Sequence, residues 1–194
     1  MSPWVMVRRP WIILASVVLY TGLLLLVREH VVYVPSITVL GNAGMKLMNF
    51  LPLIVCLALL FCLDRRLGHA EVTGTRRVVL ADRGLVLATA GAVLLVGATL
   101  HLQLGMPTAT AAGRNTLFLA GLALLVRAWF GGIVAASAMT GWLFITVTAG
   151  LRAPHDPYPW GLLLEPWNNT PAAVATAITA LLGLTALHRA PPRA

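Results

Sequence analysis

The composition of this 194-residue chain excludes a water-soluble globular protein. Hydrophobic residues make up 59% of the sequence, charged residues only 10%, and the mean hydropathy is +0.86, whereas soluble domains are about 45–50% apolar and about 25% charged. No basic face stands apart from the apolar runs, so the net charge of +8 favours the inner surface of a membrane over nucleic acid as the partner. We expect residues 1–194 to form one transmembrane domain.

The first apolar run, residues 11–27, follows Arg8 and Arg9. No small-residue cleavage pattern comes after it, which predicts an uncleaved transmembrane helix and not a signal peptide. The next stretch, residues 31–45, is rich in β-branched residues and contains proline and glycine. It predicts a short loop lying against the outer membrane surface.

The second apolar run, residues 46–63, predicts another transmembrane helix. Pro52 falls in its first turns, where an incoming helix tolerates proline. Cys56 and Cys62 lie inside this run, so we interpret them as small buried hydrophobic residues and not as a disulfide or metal pair. Residues 64–83 then form the one hydrophilic stretch, and short arginine-rich loops remain in the cytoplasm.

The third run, residues 84–103, predicts a helix that packs closely against its neighbours. It contains many small residues, which let helix backbones approach each other in lipid, among them Ala88, Gly91, Ala92 and Gly97. The fourth and fifth runs, 108–128 and 132–151, are separated by almost no loop. Gly131 and Gly132 therefore predict a tight hairpin between antiparallel helices at the cytoplasmic face.

Residues 151–171 form the longest connection on the outer side. They contain several prolines, two tryptophans and a short apolar patch, which predicts a re-entrant or interfacial segment covered by protein. The sixth run, 172–188, follows. We expect Thr170 or Asn169 to cap its helix, with Pro171 at the first helical position.

The distribution of basic residues predicts the orientation of these spans. With the N-terminus inside, ten basic residues are cytoplasmic (Arg8, Arg9, Arg65, Arg66, Arg76, Arg77, Arg83, Arg127, Arg189, Arg193) and four are external (Arg28, Lys46, Arg114, Arg152). Cytoplasmic loops carry such an excess. We expect an all-α bundle of six transmembrane helices with both termini in the cytoplasm.

Arg114 and Asn115 interrupt the otherwise apolar fourth run. A helix needs roughly 20 residues to cross a bilayer, so either the helix begins near Thr108 and takes this polar pair into the membrane, or it is broken there. Arg114 then has two choices: its side chain reaches headgroups, or it turns toward protein, where it serves helix contacts or a substrate pathway.

The chemistry that the sequence lacks is also informative. It has no phosphate-binding loop, no HExxH and no GxSxG motif, and its five histidines are scattered. We therefore predict neither a metal site nor an enzyme. None of the six carboxylates lies deep in a predicted span, which argues against transport driven by an ion gradient. If the chain transports a solute, the energy comes from a partner ATPase.

The layout of these elements resembles the permease subunits of ABC-2-type exporters. Such subunits have six spans, a coupling helix in the loop after the second span and short re-entrant helices before the sixth. Residues 71–80, EVTGTRRVVL, are similar to the family's glutamate, Gly-Thr, leucine pattern, with one extra residue between the glutamate and the glycine. Residues 114–117, RNTL, and Trp160 with Pro166-Trp167 also resemble small actinobacterial drug or peptide permeases.

The resemblance implies roles for two groups of residues. The ATPase contact would fall on the cytoplasmic stretch, at Glu71, Arg76, Arg77, Asp82 and Arg83, which otherwise anchor the loop to anionic lipid. The external gate would fall on Trp160, Glu165 and Trp167, which otherwise belong to an aromatic belt at the headgroups. Arg114 and Asn115 are the candidates for the substrate pathway.

We therefore expect a permease subunit of an ATP-driven exporter in a bacterial cytoplasmic membrane. It would move a hydrophobic or amphipathic substrate, such as a drug, peptide or lipid, out of the cell. Its partners would be an ATP-binding cassette subunit, which holds ATP and Mg²⁺, and a second permease copy or paralogue. The alternative is an accessory, scaffold or immunity membrane protein without a transport path. A membrane enzyme acting on lipid ranks last, because no His/Asp/Glu cluster occurs at one depth.

Overall fold

The fold was taken from a computed structural model, which describes residues 8–38, 41–65, 75–153 and 156–187, with only the backbone described at 41–43 and 75–77. Within these ranges the chain forms six α-helices and two small antiparallel hairpins. In chain order they are α1 (Trp11–Val27), β1 (Val31–Ser36), β2 (Gly41–Lys46), α2 (Pro52–Asp64), α3 (Thr75–Leu104), α4 (Pro107–Phe130), α5 (Gly132–Ala149), β3 (Leu151–Ala153), β4 (Asp156–Pro157) and α6 (Thr170–Ala186).

In the described ranges four helices are long and apolar enough to cross a membrane. They are Leu47–Asp64, in which a 3₁₀ turn precedes α2, together with Val78–Leu104, Pro107–Phe130 and Gly132–Ala149. The helices α1 and α6 are apolar but shorter, with 17 residues each. All predicted spans except the third agree with these bounds within two residues. The prediction of a helical bundle is confirmed. The prediction that the fold is entirely α-helical is wrong, because the chain also forms two short β-hairpins.

Helix α4 lies at the centre of the bundle. In an apolar 18-residue window of this helix 67% of the residues are buried, against 22% in the corresponding window of α3. It packs on α6 through Gly121 and Gly183: a Cβ added to Gly121 would lie 2.6 Å from the Thr179 carbonyl oxygen, and one on Gly183 would lie 2.7 Å from that of Gly121. Small residues at a crossing allow such close approach in lipid, so α4 fixes the positions of its neighbours.

The prediction of close packing for the third run is confirmed at one glycine. A Cβ on Gly97 would lie 2.7 Å from the Ala109 carbonyl oxygen of α4, whereas Gly91 has nothing within 4 Å. The predicted hairpin between α4 and α5 is also present. Its single linking residue, Gly131, has φ +88°, a conformation that favours glycine.

Helix α3 begins at Thr75, whereas the predicted third span begins at residue 84. The predicted start marks the residue at which the helix becomes apolar. The helix itself begins earlier, within the charged stretch, because Arg, Leu and Ala are good helix formers. At 1.5 Å per residue its 30 residues extend about 45 Å, well beyond a hydrocarbon core of about 30 Å. The second half of the predicted hydrophilic loop is therefore helical.

The predicted outer loop at residues 31–45 is a β-hairpin. Val31 pairs with Lys46 and Ser36 with Gly41, so the backbone groups satisfy each other, as they must wherever water is scarce. The hairpin is attached to the end of α5, because the Ile37 amide donates to the Thr148 carbonyl at 3.0 Å.

Buried and half-buried arginines join the helices at the opposite end of the bundle. Arg8 donates to Asp82 Oδ2 at 2.8 Å and Arg127 donates through Nε to Asp64 Oδ1 at 2.6 Å. Both arginines also donate to the carbonyl oxygen of Leu63, at 2.5 and 2.6 Å. We call this side of the bundle the arginine end, and the side that carries both hairpins the hairpin end.

Candidate functional site at the hairpin end

Arg114 and Asn115 are both buried, with 7% and 1% of their surface exposed. Helix α4 is continuous from Pro107 through this polar pair, so the alternative of a helix broken at Arg114 is wrong. Asn115 follows Arg114 directly, which lets the two side chains hold neighbouring points of one partner segment.

The partner is the non-helical stretch 151–169, which we call the capping segment; its residues 154 and 155 lie outside the described part. Arg114 donates from Nη1 to the Pro166 carbonyl at 2.8 Å, and from Nη2 to the carbonyls of Glu165 at 2.8 Å and Leu162 at 3.0 Å. Asn115 Nδ2 donates to the Leu163 carbonyl at 2.8 Å.

These contacts answer the question of where Arg114 points. Its guanidinium turns into the protein and not toward headgroups. Carbonyl oxygens outside a helix or sheet have no regular partner, and burying them without one is costly. Arginine presents its donors in a planar fork, so this one side chain donates hydrogen bonds to three of the carbonyl oxygens. A hydrogen bond from a charged donor contributes about 1.5–3 kcal/mol, so this pair attaches the capping segment firmly to α4.

The capping segment also prepares the start of α6. Asn169 caps this helix, because its Oδ1 accepts from the Ala172 amide at 2.8 Å, and Pro171 lies in the first turn. The predicted cap is thereby confirmed for Asn169. Asn169 Nδ2 also donates to Glu165 Oε2 at 2.8 Å. The backbone of Glu165 is held by α4 while its carboxylate is held at the N-terminus of α6.

The three predicted gate residues all belong to the capping segment, but they have different surroundings. Trp160 is 37% exposed and stacks on Tyr158 with ring centroids 5.8 Å apart. Trp167 packs edge-on against His101 at the end of α3, at 4.7 Å. Glu165 and Trp167 line a cavity that Trp160 does not reach.

This cavity, of about 440 Å³, lies between the capping segment, the end of β2 and the start of α4. Its apolar lining includes Leu151, Leu163, Leu164 and Trp167, and its polar lining includes Lys46, Asn49, Thr108 and Glu165. Apolar walls with a few polar groups are typical of sites for small amphipathic molecules. Arg114 and Asn115 are absent from this lining; they hold its roof.

The rim of the cavity carries residues that sequence reasoning missed. Lys46, the single lysine of the chain, pairs with Glu29 at 3.4 Å, and Thr108 donates to the other oxygen of Glu29 at 3.3 Å. The sequence feature that could have indicated this rim is the single charge of Lys46 at the start of an apolar run. These three residues lie near the end of α1, at the end of β2 and at the start of α4. Only the fold brings them together at the opening of the cavity.

The predicted coupling residues divide into three groups. Glu71 lies outside the described residues, and Arg76 and Arg77 are placed on the first turns of α3 without a description of their side chains. Asp82 is buried against Arg8, so in this arrangement its carboxylate ties α3 to the N-terminal segment and does not face an external partner. Arg83 is half-buried and donates to the Leu184 carbonyl of α6 at 3.4 Å.

In the part of the chain that the structure describes, no three His, Cys, Asp or Glu side chains come together as a group able to hold a metal ion. The two cysteines are buried and unpaired. No protein-family model, curated protein or solved structure matches this chain.

Proposed function

We propose that the chain is a permease subunit of an ATP-driven exporter of the ABC type in a bacterial cytoplasmic membrane. In this proposal α1 and α6 also cross the bilayer, which gives six spans and places both termini at the arginine end. The concentration of basic residues at that end supports a cytoplasmic location for it. ATP and Mg²⁺ would be bound by a partner ATP-binding cassette subunit, and a second permease copy or paralogue would complete the transporter.

The observation that carries the proposal is the cavity of about 440 Å³ beneath the capping segment. Its mixture of apolar walls and polar groups suits a hydrophobic or amphipathic substrate. The capping segment is the part of the chain that covers this cavity on the outer side, so the substrate would leave past Glu165 and Trp167. Arg114 and Asn115 serve the pathway by holding its roof and not by binding substrate.

Copurification tests the partnership. The tagged chain is purified from its native host in mild detergent, and its companions are identified by mass spectrometry and assayed for ATP hydrolysis. We expect an ATP-binding cassette protein in stoichiometric amount whose ATPase activity rises when apolar compounds are added to the reconstituted complex.

A cavity-filling variant tests the site. Ala111 lines the cavity, so Ala111→Phe should reduce export and the stimulation of ATP hydrolysis while the complex still assembles. Full export by this variant at equal expression would show that the cavity is not on the substrate path.

One observation favours the accessory or scaffold alternative. Arg114 and Asn115, the polar pair inside the bundle, bind the chain's own backbone, as expected of a protein whose role is to present a rigid outer surface. A purified chain that carries no ATPase, and whose partners are other membrane proteins, would support this second function.

A further inference from the structure

A second cavity, of about 110 Å³, lies between α3 and α6 and is distinct from the site at the hairpin end. Helices α2 and α4 form its floor. Its walls include Val86 and Leu87 of α3 and Ala180 and Leu184 of α6. We call it the α3–α6 crevice.

The described residues that line the crevice offer no free polar side chain to a ligand. Its two threonines use their hydroxyls within their own helices, Thr89 donating to the Leu85 carbonyl and Thr116 to the Ala112 carbonyl, both at 2.8 Å. Cys56 Sγ lies 3.5 Å from the Thr116 carbonyl and donates to it. A cavity of this kind stays dry and accepts apolar molecules.

The crevice also borders the surface of the bundle that faces lipid. Leu87 lines it and leaves 56% of its own surface exposed, and the neighbouring Leu181 is 62% exposed. Both helices are apolar along this length, so the molecules that surround the opening in a membrane are acyl chains.

A positive charge lies at the arginine end of the crevice. Arg83 precedes Val86 and Leu87 by one helical turn on α3, and its Nη2 donates to the carbonyl of Leu184, another lining residue, at a long 3.4 Å. Among the described residues nothing accepts a hydrogen bond from its buried Nε. A guanidinium has five N–H donors and binds phosphate well, so within the described part of the chain most of the donor capacity of Arg83 is unused.

We propose that the α3–α6 crevice binds one acyl chain of an anionic phospholipid from the leaflet at the arginine end, with the lipid phosphate at Arg83. The apolar lining selects the chain, and the arginine selects the charge of the headgroup. The position of Arg83 one turn beyond the lining matches a phospholipid, in which the phosphate lies beyond the start of the chains. The site would exist whether or not the protein transports anything.

Native mass spectrometry of the full-length protein tests the acyl-chain part. The protein in detergent is mixed with equal amounts of phosphatidylglycerol and phosphatidylcholine. The detergent micelle is then removed in the mass spectrometer, and the lipids that remain bound are identified. We expect one retained phosphatidylglycerol. Ala180→Phe fills the crevice and should reduce retention more than about tenfold, because several methylenes lose their burial. Ala177→Phe, at an exposed position of the same helix, is the matched control and should retain lipid normally.

The headgroup part is tested by charge. Arg83→Gln should bring the ratio of retained phosphatidylglycerol to phosphatidylcholine close to equality, whereas Arg152→Gln, at an exposed position of the hairpin end, should leave the wild-type ratio. Thermal unfolding in detergent verifies that each variant is folded.

Three results would overturn the proposal. They are undiminished lipid retention by a folded Ala180→Phe, an unchanged lipid preference in Arg83→Gln, or a lipid-free dimer that Ala180→Phe dissociates. The last result would assign the crevice to a second copy of the chain.

Discussion

Arg8 and Arg127 donate to the same acceptor, the carbonyl oxygen of Leu63, although 119 positions separate them in the sequence. This carbonyl belongs to the last turn of α2, where helix carbonyls have no partner within the helix. Each arginine adds an ion pair, to Asp82 and to Asp64 respectively. The end of α2 therefore links the N-terminal segment, α3 and α4 at one point.

The first prediction concerns the pair of Arg8 and Asp82. Asp82→Asn removes one partner of a buried ion pair, and such a change costs about 3–5 kcal/mol because the remaining charge stays buried. We expect a clear loss of thermal stability in detergent. The double variant Arg8→Gln, Asp82→Asn should recover part of it. Equal unfolding temperatures for wild type and Asp82→Asn would contradict this account.

The second prediction concerns Arg114. Arg114→Lys keeps the charge but cannot present a planar fork to three carbonyls, so we expect normal membrane insertion and a stability lower by about 2–3 kcal/mol. If the chain is the proposed exporter subunit, export is impaired as well. Limited proteolysis should cut the capping segment faster than in wild type. Arg152→Lys, on the same segment but exposed, is the control. A capping segment that remains equally protected would leave Arg114 with a role in charge alone.

The third prediction concerns the crossing of α4 and α6. Gly183→Ala places a methyl group 2.7 Å from the Gly121 carbonyl oxygen, and the two backbones must separate. We expect a loss of about 1–3 kcal/mol. Gly91→Ala, with nothing within 4 Å, should be neutral or slightly stabilising because alanine favours the helix. Thermal unfolding of both variants measures the difference, and the same loss in both would refute the close crossing.

The fourth prediction tests the orientation. In a chain whose buried Cys56 and Cys62 are replaced by alanine, a membrane-impermeant thiol reagent should label Arg152→Cys in intact cells. It should label Gly74→Cys only after the membrane is opened. Labelling of Gly74→Cys in intact cells would reverse the proposed topology.

The fifth prediction depends on the proposed ATPase partner. Reversing Arg76 and Arg77 to glutamate should dissociate or uncouple the ATPase while the permease still inserts, because both residues lie on the first turns of α3 at the arginine end. Normal copurification and normal stimulation of ATP hydrolysis would leave these arginines with lipid anchoring alone.

The helices were predictable because an apolar run of sufficient length has one stable form in lipid. The bounds of the helices α1, α4 and α5, the hairpin at Gly131 and the cap at Asn169 all came from such local rules. The start of α3 and the hairpin at Val31–Lys46 did not, because hydropathy measures where a segment meets lipid and not where its hydrogen bonds begin or end.

The candidate site was predictable in its residues but not in its geometry. The buried charge of Arg114 was visible as an interruption of an apolar run, and the prolines and tryptophans of residues 151–171 marked the segment that it binds. Which acceptors Arg114 uses depends on how the chain returns 48 to 52 positions later. No local pattern encodes that return, and the same is true of Arg8 and its partner Asp82.

The attachment of the capping segment has a consequence for how this protein can change. In this segment Arg114 and Asn115 donate their hydrogen bonds to main-chain carbonyls of residues 162–166. Every residue, proline included, has a backbone carbonyl, so these acceptors do not depend on which side chains the segment carries. The side chain of Leu164, which lines the cavity, can therefore be exchanged while these hydrogen bonds anchor the roof. Leu163 and Glu165 are more constrained, because Leu163 is a core residue with 1% of its surface exposed and Glu165 Oε2 accepts from Asn169. In the proposed transporter, the binding preference can then be varied at Leu164 without loss of this anchor, so substitutions at that position should yield folded proteins that differ chiefly in the molecules they accept.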